Sequence, residues 1–85
     1  MPLYLVERSF GESFDPENEV LRELEDYYDA HDIRWLTSFL SSDKKKSYCL
    51  YEADNTDLLV QHAADMGIPF DSVIEVSDLK SALDR

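Results

Sequence analysis

The chain has 85 residues, of which 44% are hydrophobic, and this length suits one small domain covering residues 1–85. Its 8 Lys and Arg against 19 Asp and Glu give a formal net charge of −11. Such an acidic surface repels the phosphates of nucleic acids and anionic lipid headgroups, so we expect no nucleic acid and no membrane among the partners. A domain this short buries a limited share of its surface, which favours association with a second copy.

The cysteine content and the first residues bear on the expected location. Cys49 is the only cysteine, so no disulfide can form within the chain. The opening MPLYLVERSF has neither a basic leader nor a long apolar core, and no apolar run reaches membrane-spanning length. These features predict a protein of the reducing cytoplasm.

The first part of the chain predicts a strand, a helix and a second strand. Leu3 to Phe10 is rich in strand-forming residues. Asp15 followed by Pro16 is typical of a helix start, because proline lacks an N–H that the first helical turn leaves unpaired. Apolar residues then recur at helical spacing over 17–31, and Ile33 to Ser41 predicts the second strand.

The next part predicts a hairpin and a second helix. A polar turn over 42–45 leads into a third strand, Lys46 to Glu52. Asp54 or Asn55 is the expected N-cap of the second helix, and Gly67 suits its left-handed end. Val73 to Val76 then predicts a fourth strand, and a further helical turn is expected within 77–85.

The resulting β-α-β-β-α-β order predicts a ferredoxin-like α+β sandwich, in which a four-stranded antiparallel sheet carries both helices on one face. Both faces of the predicted strands contain large apolar side chains. The face without helices is therefore expected to be an association surface, and we predict a homodimer packed sheet to sheet. A register slip of one residue exchanges the two faces, so the sequence leaves open whether Trp35 or Leu36 points at the helices.

Three stretches of the sequence resemble a family of small bacterial proteins. They are MPLYLVERSF, the central WLTSFLSSDKKKSYCLYEA, whose W-x-x-S and Y-C-x-Y-E-A runs are the most specific part, and GIPFDSVIEV. The family was long catalogued as a domain of unknown function and is described after a nickel-binding actinobacterial member. The resemblance implies a ferredoxin-like dimer and a bound Ni²⁺ or other divalent transition metal, but it assigns no ligand in this sequence. The ADNTD entry to the second helix departs from the proline-containing entry of the family.

The best candidate metal site is a composite of His31, Asp32, Glu52 and Asp54. In the predicted topology, the end of the first helix lies at the same sheet edge as the end of the third strand. Imidazole and carboxylate groups suit Ni²⁺ and related metals, and a dimer would add ligands from the second copy. The alternative interpretation is that His31 closes the helix, where the helix dipole favours its positive form, and that the acids are simply solvated.

Two further residues have ordinary structural interpretations. Cys49 has aromatic and aliphatic neighbours within a strand, and no adjacent positive charge favours its thiolate, so we expect a buried structural cysteine. His62 follows Leu58 and Leu59 on the second helix and is expected to be a half-buried packing residue.

The sequence therefore favours a homodimer that binds a transition metal of the nickel type, or a small ligand, without catalysis. The alternative is a dimeric α+β barrel enzyme that encloses a small hydrophobic substrate. Arg8, Trp35, Tyr48 and Tyr51 would line its pocket, although the sequence contains no recognisable nucleophile–base pair or cofactor motif. Whether the chain is an enzyme stays open at this point.

Overall fold

The computed structural model describes residues 1–80 as one four-stranded antiparallel sheet and two helices in the order β-α-β-β-α-β. The strand order across the sheet is β2-β3-β1-β4. The predicted ferredoxin-like α+β topology is confirmed. The elements are β1 (Leu3–Ser9), α1 (Asn18–Ala30), β2 (Arg34–Leu40), β3 (Lys46–Glu52), α2 (Thr56–Met66) and β4 (Ser72–Val76).

The two central strands bury alternate residues, which defines the face covered by the helices. On β1 the buried residues are Tyr4, Val6 and Arg8, and on β3 they include Cys49 and Tyr51. Successive side chains of a strand point to opposite faces, so the half-buried residues between them lie on the face without helices. The buried aromatic and aliphatic side chains pack with both helices into one core: Tyr4, Val6, Tyr28, Ile33, Cys49, Tyr51, Ala53 and Leu59.

An irregularity in β2 settles which residue of that strand faces the helices. Trp35 pairs with Tyr51, but the next paired residue is Thr37, so Leu36 is the extra residue of a β-bulge. Trp35 packs edge-on against Tyr28 of α1, with ring centroids 5.5 Å apart, whereas Leu36 is exposed. Trp35 therefore belongs to the helix-covered face.

Helix α1 begins later than the sequence suggests. The predicted start at Asp15 and Pro16 is wrong, because the helix begins at Asn18 with Glu17 as its N-cap. Glu17 makes no side-chain hydrogen bond to the first turn. The Asp15 carboxylate instead lies 3.7 Å from Nζ of Lys44 in the β2–β3 turn. The Phe14 backbone N–H also donates to the Lys44 carbonyl at 2.7 Å, and this backbone contact holds the segment out of the helix.

Helix α2 follows its local sequence signals at both ends. Asn55 is the N-cap, and its side-chain oxygen accepts a hydrogen bond from the Leu58 backbone N–H at 3.2 Å. Gly67 ends the helix in the left-handed conformation, with φ 64°. Among residues 1–80, no helix is long and apolar enough to cross a membrane. The helical turn expected within 77–85 extends past residue 80 and so lies partly outside the described residues.

The face of the sheet opposite the helices carries exposed apolar side chains. Ile74 is 58% exposed and pairs with Leu5, which is half-buried. Phe39 is 64% exposed and pairs with Tyr48 at the other side of the sheet. We call this surface, which also includes Leu3 and Leu50, the open face.

Candidate functional site

A cavity of about 190 Å³ lies between the helix-covered face of the sheet and α1. Its sheet side is formed by β1, β2 and β3, and its helix side by Leu21, Leu24 and Tyr28 of α1. The wall is mostly apolar and aromatic. The remaining lining residues are Arg8, Phe10, Phe14, Pro16, Trp35, Ser38, Phe39, Leu40, Ser47, Cys49, Tyr51 and Ile68.

The loop between β1 and α1 forms one side of the cavity. The rings of Phe10 and Phe14 stack with centroids 4.4 Å apart and planes 5° from parallel. The backbone N–H groups of Phe10 and Phe14 donate to the carbonyls of Lys45 and Lys44, each at 2.7 Å. The hairpin turn thus fixes this loop in place, and the loop positions Phe14 and Pro16 against the cavity.

Of the residues 1–80 that line the cavity, only Arg8 carries a full charge, and it is only 3% exposed. Its Nη1 donates a hydrogen bond to the Tyr51 hydroxyl at 3.2 Å. Its Nε and Nη2 are buried and have no hydrogen-bond partner within residues 1–80. Arginine is always protonated in proteins, so a positive charge borders this cavity, and two of its donor atoms are buried without a partner among the described residues.

The titratable neighbours of Arg8 supply no opposite charge. Among the described residues they are the phenols of Tyr51 and Tyr28, the thiol of Cys49 and the imidazole of His62. Burial raises the pKa of Tyr28 to about 12 and also raises the pKa of Tyr51, so both phenols are neutral at physiological pH. The guanidinium carbon lies 5.8 Å from the centroid of the Tyr51 ring, a contact that compensates a buried charge only in part.

Trp35 completes the aromatic part of the wall. Its Nε1 donates to Oγ of Ser38 at 2.6 Å, so the indole is satisfied within β2 and its ring remains available to an apolar ligand. Trp35 is the only tryptophan of the chain. Three of the residues expected to line a barrel-type pocket, Arg8, Trp35 and Tyr51, do line this cavity, whereas Tyr48 lies on the open face.

The four residues of the predicted metal cluster lie around the ends of α1 and β3, but the polar atoms of His31 and Glu52 are engaged with other residues. Nδ1 of His31 is 2.8 Å from the Tyr27 carbonyl, and the imidazole stacks on the Tyr27 ring. Glu52 accepts from Nη1 of Arg34 at 3.1 Å. His31 is the C-cap of α1, which is the position that the alternative interpretation gives it.

The two aspartates of the predicted cluster do lie near each other. Asp32 and Asp54 border a shallow surface depression together with Asp29 and Arg34. Within residues 1–80, however, no group of three or more His, Cys, Asp and Glu side chains could hold a metal ion. These residues therefore do not fit a metal on their own, and a site here needs ligands from outside the described residues.

His62 is more deeply buried than the sequence suggests. It is completely buried rather than half-buried, and its ring lies between the rings of Tyr27 and Tyr28 at centroid distances of 4.7 and 4.4 Å. Neither ring nitrogen has a hydrogen-bond partner within the described residues. Burial, reinforced by the charge of Arg8, lowers the His62 pKa to about 4, so the imidazole is neutral at physiological pH.

The importance of Arg8 could have been read in part from its position. Residues 4 and 6 of the same strand are apolar, and an arginine two residues further along lies on the same face. A charged residue at a core-facing position is a candidate functional residue, because charged side chains are rarely fully buried unless they are paired. The sequence did not give the depth of its burial or the lack of an acidic partner.

Comparisons with known proteins give a family and a fold. The family described as nickel responsive protein SCO4226-like matches residues 4–76. The crystal structure of SCO4226 from Streptomyces coelicolor A3(2) superposes with a TM-score of 0.68 at 11% sequence identity, covering 89% of this chain and 96% of that one. At this identity the likeness concerns the fold alone. Among curated proteins, none matches this chain.

Proposed function

We propose that this chain, which belongs to the SCO4226-like family, is a non-catalytic binding protein that holds a small, largely apolar ligand between its sheet and α1. The observation that carries the proposal is the cavity of about 190 Å³ lined mainly by aromatic and aliphatic side chains. Ligand pockets are typically concave and apolar, with a few placed polar groups. An apolar cavity of about 150 Å³ is large enough to bind benzene.

Within residues 1–80 the cavity wall has no recognisable pair of nucleophile and base, and this supports binding over catalysis. Cys49 lines the cavity, but the basic residue of the same wall is Arg8, which cannot accept a proton. His62 is buried between tyrosine rings and does not line the cavity. A barrel enzyme acting on a small hydrophobic substrate would be supported instead if the bound molecule were converted to a product.

The proposal includes a homodimer formed through the open face. Exposed apolar side chains on both edges of that face, such as Phe39 and Ile74, favour association in water. Phe39 also lines the cavity at the β2 edge, and the rest of the cavity lies on the side of the sheet opposite the packed open faces. We also propose a cytoplasmic location, which suits a chain whose single cysteine is a buried free thiol.

The cavity is tested with a neutral probe of benzene size, for which toluene is suitable. Trp35 lines the cavity and is the only tryptophan, so its fluorescence reports occupancy directly. We expect saturable binding of toluene to the wild-type protein and a loss of binding in Cys49→Phe, which fills the cavity. Val60→Phe is the matched control, because Val60 is exposed on α2 and does not line the cavity. Equal responses of both variants would contradict the proposal.

A second candidate function is the binding of Ni²⁺ or another divalent transition metal, and the observation that favours it is the nickel-responsive description of the family. The residues proposed for it are His31, Asp32, Glu52 and Asp54. Because they do not complete a site within residues 1–80, the proposal requires ligands from a second copy of the chain.

Native mass spectrometry of the metal-free protein with Ni²⁺, and then with competing Zn²⁺, tests this second candidate. We expect a fixed number of Ni²⁺ ions per dimer, lost in both His31→Ala and Asp54→Ala. His62→Ala serves as a comparison, since His62 is completely buried and is not one of the four proposed ligands. Retention of nickel in the His31 and Asp54 variants would remove these residues as ligands, and a dimer without retained metal would remove the candidate.

A further inference from the structure

We propose that the ligand of the cavity carries a carboxylate, which Arg8 binds through Nε and Nη2, on an apolar body about the size of a benzene ring. This inference rests on the proposed small-ligand function and adds the chemical class of the ligand. It assigns Arg8 as the residue that selects an acid over a neutral molecule of the same shape.

Within residues 1–80, the charge of the Arg8 guanidinium is buried without an opposite charge beside it. Arg8 is 3% exposed, and no salt bridge or acidic neighbour is associated with it in the described part of the chain. Burying a charge is costly unless it is paired and hydrogen-bonded. A carboxylate in the adjoining cavity would supply both the opposite charge and the missing acceptors.

The two Arg8 donor atoms without a partner are placed to bind one carboxylate. Nε and Nη2 lie along one edge of the planar guanidinium, and both lack a partner within residues 1–80. Their N–H bonds run in the same direction and match the two oxygens of a carboxylate, which gives a bidentate pair. The unused donors are therefore a matched set for one planar anion.

Hydrogen bonds fix the orientation of the Arg8 guanidinium. Nη1 donates to the Tyr51 hydroxyl at 3.2 Å, and the hydroxyls of Tyr51 and Tyr28 are hydrogen-bonded at 2.8 Å. This chain links the guanidinium to α1, because Tyr28 belongs to that helix. A group held in this way loses less conformational freedom when it binds a ligand, which favours affinity.

A monocarboxylate suits the site better than a phosphate. One guanidinium neutralises one negative charge, so a phosphate dianion would leave a second charge buried against an apolar wall. The volume of about 190 Å³ leaves room for a ring or a short aliphatic chain. The remaining wall, with Phe14, Leu24 and Trp35, would contact that apolar part.

The test compares phenylacetate with its neutral isostere phenylacetamide, using Trp35 fluorescence and calorimetry at neutral pH. We expect phenylacetate to bind at least about tenfold more tightly, since a hydrogen bond to a charged partner is worth roughly this factor. Equal affinities for the two probes would overturn the carboxylate assignment and leave the cavity proposal intact. If toluene, phenylacetamide and phenylacetate all fail to bind, the proposed function itself is wrong.

Substitutions at Arg8 locate the preference. Arg8→Met should lose the preference for phenylacetate over phenylacetamide. Arg8→Lys keeps the charge but lacks the paired edge, so we expect an intermediate preference. Arg22→Met is the matched control, because Arg22 is exposed on α1 and does not line the cavity. An unchanged preference in Arg8→Met would overturn the assignment.

Nuclear magnetic resonance on the wild-type protein gives a readout that does not depend on whether the Arg8 variants fold. The Arg8 Nε–H resonance, assigned by its loss in Arg8→Lys or by through-bond correlation, should shift on addition of phenylacetate and become protected from exchange with water. Phenylacetamide at equal occupancy should leave the resonance nearly unmoved. The opposite result would show that the guanidinium does not contact the ligand anion.

Discussion

Two buried basic side chains, Arg8 and His62, differ in their protonation state at physiological pH. The Arg8 guanidinium stays charged and has a cavity beside it. The His62 imidazole is neutral at physiological pH, because burial lowers its pKa to about 4. We therefore expect Arg8 to affect which ligand binds, and His62 to affect how stability depends on pH.

We expect His62 to make the protein less stable as the pH falls from about 6.5 to about 4. In that interval the unfolded chain binds a proton at His62 and the folded chain does not, so the free energy of unfolding decreases on acidification. The full effect is on the order of 3 kcal/mol. Urea unfolding at a series of pH values should give a shallower acid-side loss for His62→Leu than for the wild type.

A comparison above neutral pH provides the control for this experiment. Between pH 7 and 8 His62 is neutral in both folded and unfolded chains, so the wild-type and His62→Leu curves should run parallel. Other groups that face His62, such as Asp65, are present in both proteins and cancel in the difference. Parallel curves on the acid side as well would contradict the assigned pKa.

At the scale of the elements, the two helices differ in how their first turns are capped. Asn55 caps α2 through a hydrogen bond to the Leu58 N–H, whereas Glu17 provides no such bond for α1. The sequence located α2 from local signals at both ends, with the N-cap left open between Asp54 and Asn55. It misplaced the start of α1, because the loop residues before it are held by backbone contacts to the β2–β3 turn.

We expect opposite effects from substitutions at the two N-cap positions. Asn55→Ala removes the cap of α2 and should lower the free energy of unfolding by about 1 kcal/mol. Glu17→Asp supplies a short carboxylate at the N-cap of α1, keeps the charge, and should raise it by roughly 0.5–1 kcal/mol. Thermal unfolding measures both. A loss of stability in Glu17→Asp would mean that α1 starts elsewhere.

At the scale of the whole molecule, the proposed dimer depends on the open face of the sheet. Ile74 is 58% exposed on that face, so Ile74→Glu should place a charge in the interface and convert the dimer to a monomer. Val60→Glu is the control, because Val60 is 48% exposed on α2, on the other side of the sheet. Analytical ultracentrifugation measures the outcome, and a wild-type protein that sediments as a monomer would overturn the dimer proposal.

The sequence by itself determined the order of the elements, the hairpin, and both ends of α2, because these depend on local periodicity, turn residues and caps. The tertiary structure alone decided which face of β2 is buried, since the bulge between Trp35 and Thr37 shifts the alternation within the strand. It also decided the candidate site. Arg8 becomes a buried charge beside an apolar cavity only when strands far apart in sequence pair and α1 packs over them, and burial of this kind is a property of the packed fold.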